Sequence, residues 1–206
     1  MISVEAYRAD PCGTLSIPRW KSRVFPVPAT MRIVHDRDYL PDAHYVDEPY
    51  FRLLHPLTEM APRDPAFCCK VAEEADVPVM AELINRCYDD LSVTAEQMMQ
   101  YRRTAAFAPE LWLIVYDART KECVGCGIAD IDPEAGEGVL EWIQVLPEHR
   151  GRGAGKFIVN ELLRRMAGTA TFATVSGRVN NGTNPERLYR KCGFTGADVW
   201  HILTQR

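Results

Sequence analysis

The stretch His149–Lys156, with the sequence HRGRGAGK, places three of the chain's 13 glycines at alternate positions. Glycine tolerates positive φ angles and lets a partner approach the backbone, but it weakens the interior of a helix or strand. The apolar run EGVLEWIQVL (137–146) precedes it, and the pattern that follows predicts a helix from about 153 to 167. The glycines therefore predict a turn before a helix start, whose free N–H groups favour an anion. Taken alone, they fit a solvent-exposed turn with basic side chains better, because such glycine motifs are weak in isolation.

Composition limits the class of protein. The 206 residues are 47% hydrophobic and carry a formal net charge of −4. That charge argues against general nucleic-acid binding, which needs a basic surface. No apolar run reaches the ~20 residues that span a bilayer, and the first ten residues, MISVEAYRAD, are too charged for a signal peptide. We expect a cytoplasmic protein that binds neither nucleic acid nor membrane. The sequence does not decide between a monomer and a homodimer.

The seven cysteines indicate buried free thiols in a reducing compartment, because their number is odd and most have apolar neighbours. The CVGC run at 123–126 has a spacing used for zinc or redox chemistry. It lies in a strand-like segment, and no second pair follows at zinc-site spacing. Three histidines of the N-terminal region, His35, His44 and His55, match no compact ligand pattern either. We expect no metal.

Two regions differ along the chain. Residues 1–66 hold nine of the 14 prolines and are too aromatic for a disordered tail, so they predict an ordered arm that packs on the core. Strand-like runs occur in it at 31–36 and 50–55. Residues 67–206 predict an α+β domain with a mixed, mostly antiparallel central sheet flanked by helices. Its predicted strands are 67–74, 111–118, 123–132, 137–146, 172–179 and 199–205, and its predicted helices are 76–88, 94–104, 153–167 and 184–192. Asp76 is the expected N-cap of the first helix, and a capping Thr94 with a Glu is expected to open the second.

Two common phosphate-binding motifs do not fit the glycines. A Rossmann fingerprint needs Gly-x-Gly-x-x-Gly and an acidic residue at the end of the next strand. Here the spacing is Gly-x-Gly-x-Gly, and the strand FATVSGRV (172–179) has no acid. A P-loop needs Ser or Thr after Gly-Lys, but Phe157 follows Gly155-Lys156.

A third pattern does fit. The arrangement Arg150-x-x-Gly153-x-Gly155 after a strand resembles the acyl-CoA-binding motif of the GNAT superfamily of N-acetyltransferases. The run Leu188–Phe194, LYRKCGF, resembles the second signature of that superfamily, a helix with Leu-Tyr-x-x-x-Gly-Phe. About 35 residues and one strand separate the two motifs, so each makes the other more specific. The resemblance covers roughly residues 67–206 and implies the GNAT fold.

The resemblance also implies where acetyl-CoA, the co-substrate, binds. Its pantetheine arm would bond the exposed backbone of the strand before the glycines, and its pyrophosphate would bond the amides of the turn, with Arg150 positioning that turn. The implied cofactor-binding residues are Ile143, Gln144, Val145, Arg150, Gly151, Arg152, Gly153, Ala154, Gly155 and Lys156. The family's usual Asn seven residues before the tyrosine is replaced here by Gly182. Asn181 is the candidate substitute, and Asn184, before Pro185, is predicted to cap the helix.

Two residues are candidates for catalysis. Tyr189 occupies the position of the family's tyrosine, which implies a general acid for the departing thiolate. Glu141 lies on the strand that would line the thioester, and unbroken alternation would give it the same face as Val139, Ile143 and Val145. A charge on an apolar face suggests a general base. The alternative is an ion pair across the sheet.

These features predict an acetyl-CoA-dependent N-acetyltransferase that moves an acetyl group to a primary amine by direct transfer in a ternary complex. The acceptor is expected to be a small molecule or an exposed peptide amine, and the mild acidity of the chain fits a cationic acceptor. The alternative is a catalytically silent acyl-CoA-binding sensor or interaction module. The presence of Tyr189 and Glu141 argues against that alternative.

Overall fold

The computed structural model describes residues 2–88 and 91–206. Within them the chain forms an α+β fold whose strands pair mostly antiparallel and are flanked by helices, as the sequence predicts. The helices are α1 (Val4–Ala9), α2 (Pro11–Thr14), α3 (Arg19–Val24), α4 (Val77–Asn85), α5 (Ala95–Tyr101), α6 (Ala154–Met166) and α7 (Pro185–Lys191). The strands are β1 (Met31–His35), β2 (Tyr45–His55), β3 (Phe67–Val71), β4 (Phe107–Asp117), β5 (Cys123–Asp132), β6 (Glu137–Val145), β7 (Phe172–Arg178) and β8 (Thr195–Gln205).

Contacts divide the chain into two compact units. One comprises the residues up to Pro56 together with Thr174–Arg206, and the other is Leu57–Ala173. The division of the sequence into an arm at 1–66 and a domain at 67–206 stays a prediction.

The unit with both chain ends is built around β8. This strand pairs antiparallel with β1 on one side and with β2 on the other, and β7 follows β2 in the sheet order. The strand runs predicted at 31–36 and 50–55 are therefore confirmed, and both lie against the C-terminal strand. Helices α1 to α3 were not predicted, because each has only four to six residues, too few to show a helical period in the sequence.

In the unit Leu57–Ala173 the strand order is β6-β5-β4-β3, and each neighbouring pair is antiparallel. Helix α6 packs on one face of β4, β5 and β6. Two strand glycines allow this close packing, because a Cβ on Gly127 would collide with Ile158 and one on Gly138 with Met166. Any larger residue at these positions would push α6 away from the sheet.

The opposite face of these strands carries α4 and α5 over an apolar cluster that includes Met80, Ile84 and Trp112. The helices begin near the predicted positions, with two differences in capping. Asp76 precedes α4 but does not cap it, since its carboxylate accepts from the Glu73 N–H and the Lys70 ammonium instead. In the described residues, no helix is long and apolar enough to cross a bilayer.

The second difference concerns α5. Thr94 caps it as predicted, but its partner in the capping box is Gln97 and not the expected Glu. The reciprocal bonds need the side chain at the third helical position, and Gln97 occupies that position.

Candidate functional site

Strand β6 contains a β-bulge at Glu141. Along its pairing with β5, Leu140 lies opposite Ala129 and Trp142 lies opposite Ile128, so the register steps over Glu141. At such a bulge two residues oppose one on the partner strand. Glu141 and Trp142 therefore both lie opposite Ile128, whose side chain belongs to the apolar cluster beneath α4.

Because of the bulge, the side chains of β6 after Glu141 lie on a different face of the sheet from the one predicted. A one-residue change of register moves every later side chain to the other face. Ile143 pairs with Gly127, the glycine against α6, so Ile143 faces α6 and not the face of Trp142. The prediction that Glu141 shares a face with Ile143 and Val145 is therefore wrong, because it assumed unbroken alternation.

Gln144 lies on the α4 side of β6. Its side-chain Nε2 donates to the Tyr88 hydroxyl at 2.9 Å, and the Tyr88 ring meets the Trp142 ring edge to face at 6.0 Å between centroids. The Gln144 side chain is 8% exposed. An amide, a phenol and an indole thus line the α4 side of the strand beside the bulge.

The predicted glycine turn lies between β6 and α6. Gly151 and Gly153 have φ angles of 76° and 98°, which L side chains rarely adopt. A Cβ at Gly151 would meet nothing within 4 Å, and one at Gly153 would lie 3.7 Å from the Phe67 ring. Backbone conformation, not crowding within the unit, therefore demands glycine, and the space in front of the turn is open.

The start of α6 is suited to an anion. The helix has 13 residues, and Gly153 at its N-cap provides no side-chain hydrogen bond. The first-turn N–H groups and the positive end of the helix dipole thus point toward the open turn. Arg152 and Lys156 are exposed beside it, whereas the carboxylate of Asp64 lies 4.0 Å from the Cβ position of Gly153. The cationic side chains outnumber this one acid.

Arg150 binds backbone at the end of β6. Its Nε donates to the Val145 carbonyl at 3.1 Å, and Nη2 donates to the Cys87 carbonyl at 3.4 Å. The Cys87 thiol donates to the same Val145 carbonyl at 3.5 Å, and burial raises the pKa of that thiol. Arg150 thus fastens the end of β6 to the segment after α4 and fixes the start of the glycine turn.

The second motif lies in the other unit. Asn184 caps α7 with its side-chain oxygen, which accepts from the Arg187 N–H at 3.3 Å, and Pro185 occupies the first turn. This prediction is confirmed. The side-chain oxygen of Asn181 accepts from both the N–H and the hydroxyl of Thr183 and thereby shapes the loop before α7.

Tyr189 is buried in the second turn of α7, with 8% of its surface exposed. Its ring lies 6.2 Å from that of Phe51 and 5.8 Å from that of Phe194, measured between centroids. The structure thus groups Tyr189 with Asn181 in one unit. It groups Glu141, the strand end 143–145 and the turn 150–156 in the other.

Two residues of the α4 side of the sheet, Tyr88 and Arg102, were not predicted from the sequence. Tyr88 follows α4, and Arg102 follows α5, where the guanidinium covers the rings of Phe107 and Trp112. No local signal separates these residues from ordinary helix ends, because their neighbours come from other strands. Across the described residues, no cluster of three or more metal-ligating side chains occurs.

Comparison with known proteins is consistent with this geometry. The sequence model of the Acetyltransferase (GNAT) family matches residues 77–194. No curated protein matches the chain.

Three solved structures share the fold. A GCN5-related N-acetyltransferase from Sphaerobacter thermophilus has a TM-score of 0.67 at 18% identity, and the match covers 89% of this chain and 62% of that one. The ribosomal-protein-S18-alanine N-acetyltransferase from Escherichia coli has a TM-score of 0.52 at 16% identity, covering 68% and 93%. Ard1 from Thermoplasma volcanium gives 0.54 at 15%, covering 68% and 97%.

Proposed function

The chain belongs to the GNAT family of acetyltransferases, and from that membership we propose that it transfers an acetyl group from acetyl-CoA to a primary amine. Transfer is direct, within a ternary complex. The observation that carries the proposal is the glycine turn at the start of α6, with left-handed backbone at Gly151 and Gly153 and an N-cap without a side chain.

The turn supplies the binding site for the pyrophosphate of acetyl-CoA. Backbone N–H groups between Gly151 and Lys156 donate to the phosphate oxygens, and the exposed side chains of Arg152 and Lys156 add positive charge. Ala154 and Gly155 have small or no side chains, so the phosphate oxygens can approach the backbone closely. Arg150 holds the turn by its hydrogen bonds to carbonyl oxygens.

The pantetheine arm lies along the backbone of Ile143, Gln144 and Val145. The Val145 carbonyl already accepts from Arg150 and Cys87, so the arm uses the other backbone groups of this segment. Asn181 contributes through its amide NH₂, since its oxygen serves Thr183.

The reaction needs a neutral amine, whereas most primary amines are protonated near pH 7. Glu141 takes a proton from the acceptor, directly or through a water molecule, and the amine nitrogen then attacks the thioester carbonyl carbon. Collapse of the tetrahedral intermediate breaks the carbon–sulfur bond, and the nitrogen loses its second proton to solvent. Tyr189 gives its hydroxyl proton to the departing thiolate and regains a proton from solvent, so the products are the amide and CoA, with one net proton released.

The acceptor is a small molecule or an exposed peptide amine. The E. coli protein with the same fold is a ribosomal-protein-S18-alanine N-acetyltransferase, which makes a peptide amine one class to test. We further propose a cytoplasmic location and a CoA cycle that needs no metal.

The test is CoA release from acetyl-CoA in the presence of a panel of small and peptide amines. Stabilisation of the protein by acetyl-CoA in a thermal-shift titration is measured in parallel, because a ligand that binds only the native state raises its apparent stability. Stabilisation together with amine-dependent CoA release supports the proposal. Stabilisation with no release for any amine would favour a silent acyl-CoA sensor, and no stabilisation at saturating acetyl-CoA would refute both.

A further inference from the structure

Arg102 is a half-buried cation at the end of α5. Its guanidinium carbon lies 4.6 Å from the centroid of the Phe107 ring and 5.3 Å from that of Trp112. Stacking on aromatic faces holds a guanidinium in one orientation without neutralising its charge. The side chain is therefore fixed in place over the apolar face of β4.

Two donors in this cluster lack acceptors. Nη1 of Arg102 and Nε1 of Trp112 are both buried, and neither has a hydrogen-bond partner within residues 2–88 and 91–206. Trp112 is only 1% exposed. Buried donors are almost always paired, because leaving one unsatisfied costs the desolvation of that group. Two such donors in one cluster indicate that a group rich in oxygen atoms belongs beside them.

The cluster lies on the same face as the bulge of β6. Trp112 pairs with Ile128, which lies opposite Trp142 and Glu141, and residues opposite one another share a face. The backbones of β4 and β6 lie two strand spacings apart, about 10 Å. Arg102 over β4 and Glu141 on β6 thus flank one stretch of sheet.

On this face the positive and negative side chains lie on different strands. Besides Glu141, the acidic side chain of Asp130 lies on β5, paired with Phe107 on one side and Val139 on the other. The cation lies over β4 and the carboxylates lie on β5 and β6. A molecule with an amine at one end and a carboxylate at the other complements this arrangement.

We propose that Arg102 and Trp112 bind the carboxylate of the acceptor, and that the acceptor is a small amino acid whose primary amine and carboxylate are joined by a flexible chain. This inference rests on the proposed function, since it assigns the substrate class of the same site. The amine lies toward Glu141, and the carboxylate receives hydrogen bonds from the guanidinium and the indole.

The test compares three acceptors of matched length: 5-aminopentanoate, pentylamine and 1,5-diaminopentane. They present a carboxylate, a methyl group and an ammonium group at the same position. We expect the highest kcat/KM for 5-aminopentanoate. Arg102→Gln should lower that value by roughly tenfold to a hundredfold, mainly through KM, as loss of a charged hydrogen bond does, and should leave pentylamine unchanged. Arg103→Gln, at the exposed neighbouring residue, is the matched control.

A binding measurement separates this inference from the proposed function. Calorimetry with pentanoate, in the presence of CoA, needs no turnover. Binding that is lost in Arg102→Gln, weakened in Arg102→Lys and kept in Arg103→Gln supports the carboxylate site even if no acceptor of the three is acetylated. No pentanoate binding to the wild type, or equal kcat/KM for all three acceptors, would overturn the inference and leave acetyl transfer to other amines intact. Melting temperatures verify that each variant is folded.

Discussion

The helices of the two sequence motifs begin in opposite ways. Helix α7 follows Asn184, whose side chain accepts from a first-turn N–H, and it starts with Pro185, which has no N–H to satisfy. Helix α6 follows Gly153, which has no side chain and a φ of 98°. The start of α7 is closed, meaning that a side chain of the protein caps it, whereas the start of α6 is open, with no side-chain cap.

Packing explains why the chain tolerates the open start. Nine of the 13 residues of α6 are buried, so contacts with the sheet hold the helix without a cap. Helix α7 has seven residues, of which only Tyr189 is buried, and a helix so short depends on its cap. An uncapped start is thus found where packing can stabilise the helix, and there its donors stay available for a ligand.

The largest expected effect concerns the buried side of α7. Tyr189→Phe keeps the ring contacts with Phe51 and Phe194 and removes only the hydroxyl. If the hydroxyl protonates the leaving thiolate, kcat should fall by roughly 10²–10⁴, while acetyl-CoA affinity and melting temperature stay near wild type. Steady-state CoA release, with pre-steady-state data to show that chemistry limits the rate, measures this. An unchanged kcat would remove Tyr189 from the mechanism and leave α7 a purely structural role.

The next effect tests the open start of α6. Gly153→Val forces a β-branched residue into left-handed backbone and places a side chain in front of the turn, so acetyl-CoA affinity should fall at least about tenfold, the cost of one charged hydrogen bond. Gly168, just beyond the other end of the same helix, has a similar φ of 99°, and a Cβ there would meet nothing within 4 Å, so Gly168→Val is the control. It should cost similar stability, about 1–2 kcal/mol, and leave affinity intact. Equal losses of affinity in both variants would show that strain alone is responsible.

Removing the side-chain cap of α7 should lower the stability of the protein and leave its acetyl-CoA affinity unchanged. Asn184→Ala removes the cap and puts alanine at a φ of 49°, so the free energy of unfolding should fall by about 1–2 kcal/mol. Asn184→Asp keeps an accepting oxygen and should stay close to wild type. Urea unfolding measures both variants, and acetyl-CoA calorimetry should show unchanged affinity. A large loss of affinity in Asn184→Ala at constant stability would mean that this start also serves the ligand.

The smallest effect is a pH dependence beside the end of α7. Burial lowers the pKa of His55, whose ring packs on Phe194 at 5.3 Å between centroids. The unfolded chain, with a His pKa of about 6.5, then binds the proton more readily than the folded one. This contribution to stability is present above pH ~6.5 and is lost as pH falls below it. In the variant His55→Gln, the free energy of unfolding measured with urea should fall less steeply between about pH 7.5 and 5.5, a range that includes the ordinary His pKa of about 6.5.

His44→Gln is the matched control for that measurement, because the His44 side chain is 89% exposed and its ion pair with Asp42 lies at the surface, where such pairs contribute little to stability. It should leave the slope with pH unchanged. A His55 variant whose stability falls as steeply as that of the wild type would show that other groups carry the acid sensitivity of this unit.

Most secondary structure could be predicted from local patterns. The run CVGCGIADID gives β5 at its observed bounds, and the glycine turn precedes α6 as expected. The β4 strand begins at Phe107, four residues before the predicted start. The prediction starts late because Pro109 and Glu110 interrupt the apolar pattern of the strand. Asp76 looks like a helix cap in sequence, but Lys70 of β3 binds its carboxylate. Local patterns fail where a distant residue competes for the same group.

The sequence by itself determined the two motifs, the class of fold and the need for glycine at a helix start, because these depend on neighbours along the chain. The tertiary structure decided the rest. The bulge at Glu141 arises from the register between β5 and β6, and it reverses the facing of Ile143 and Val145. Arg102 and Trp112 meet only because α5 lies over β4. Register and helix packing depend on contacts between segments far apart in sequence, which no short stretch of residues encodes.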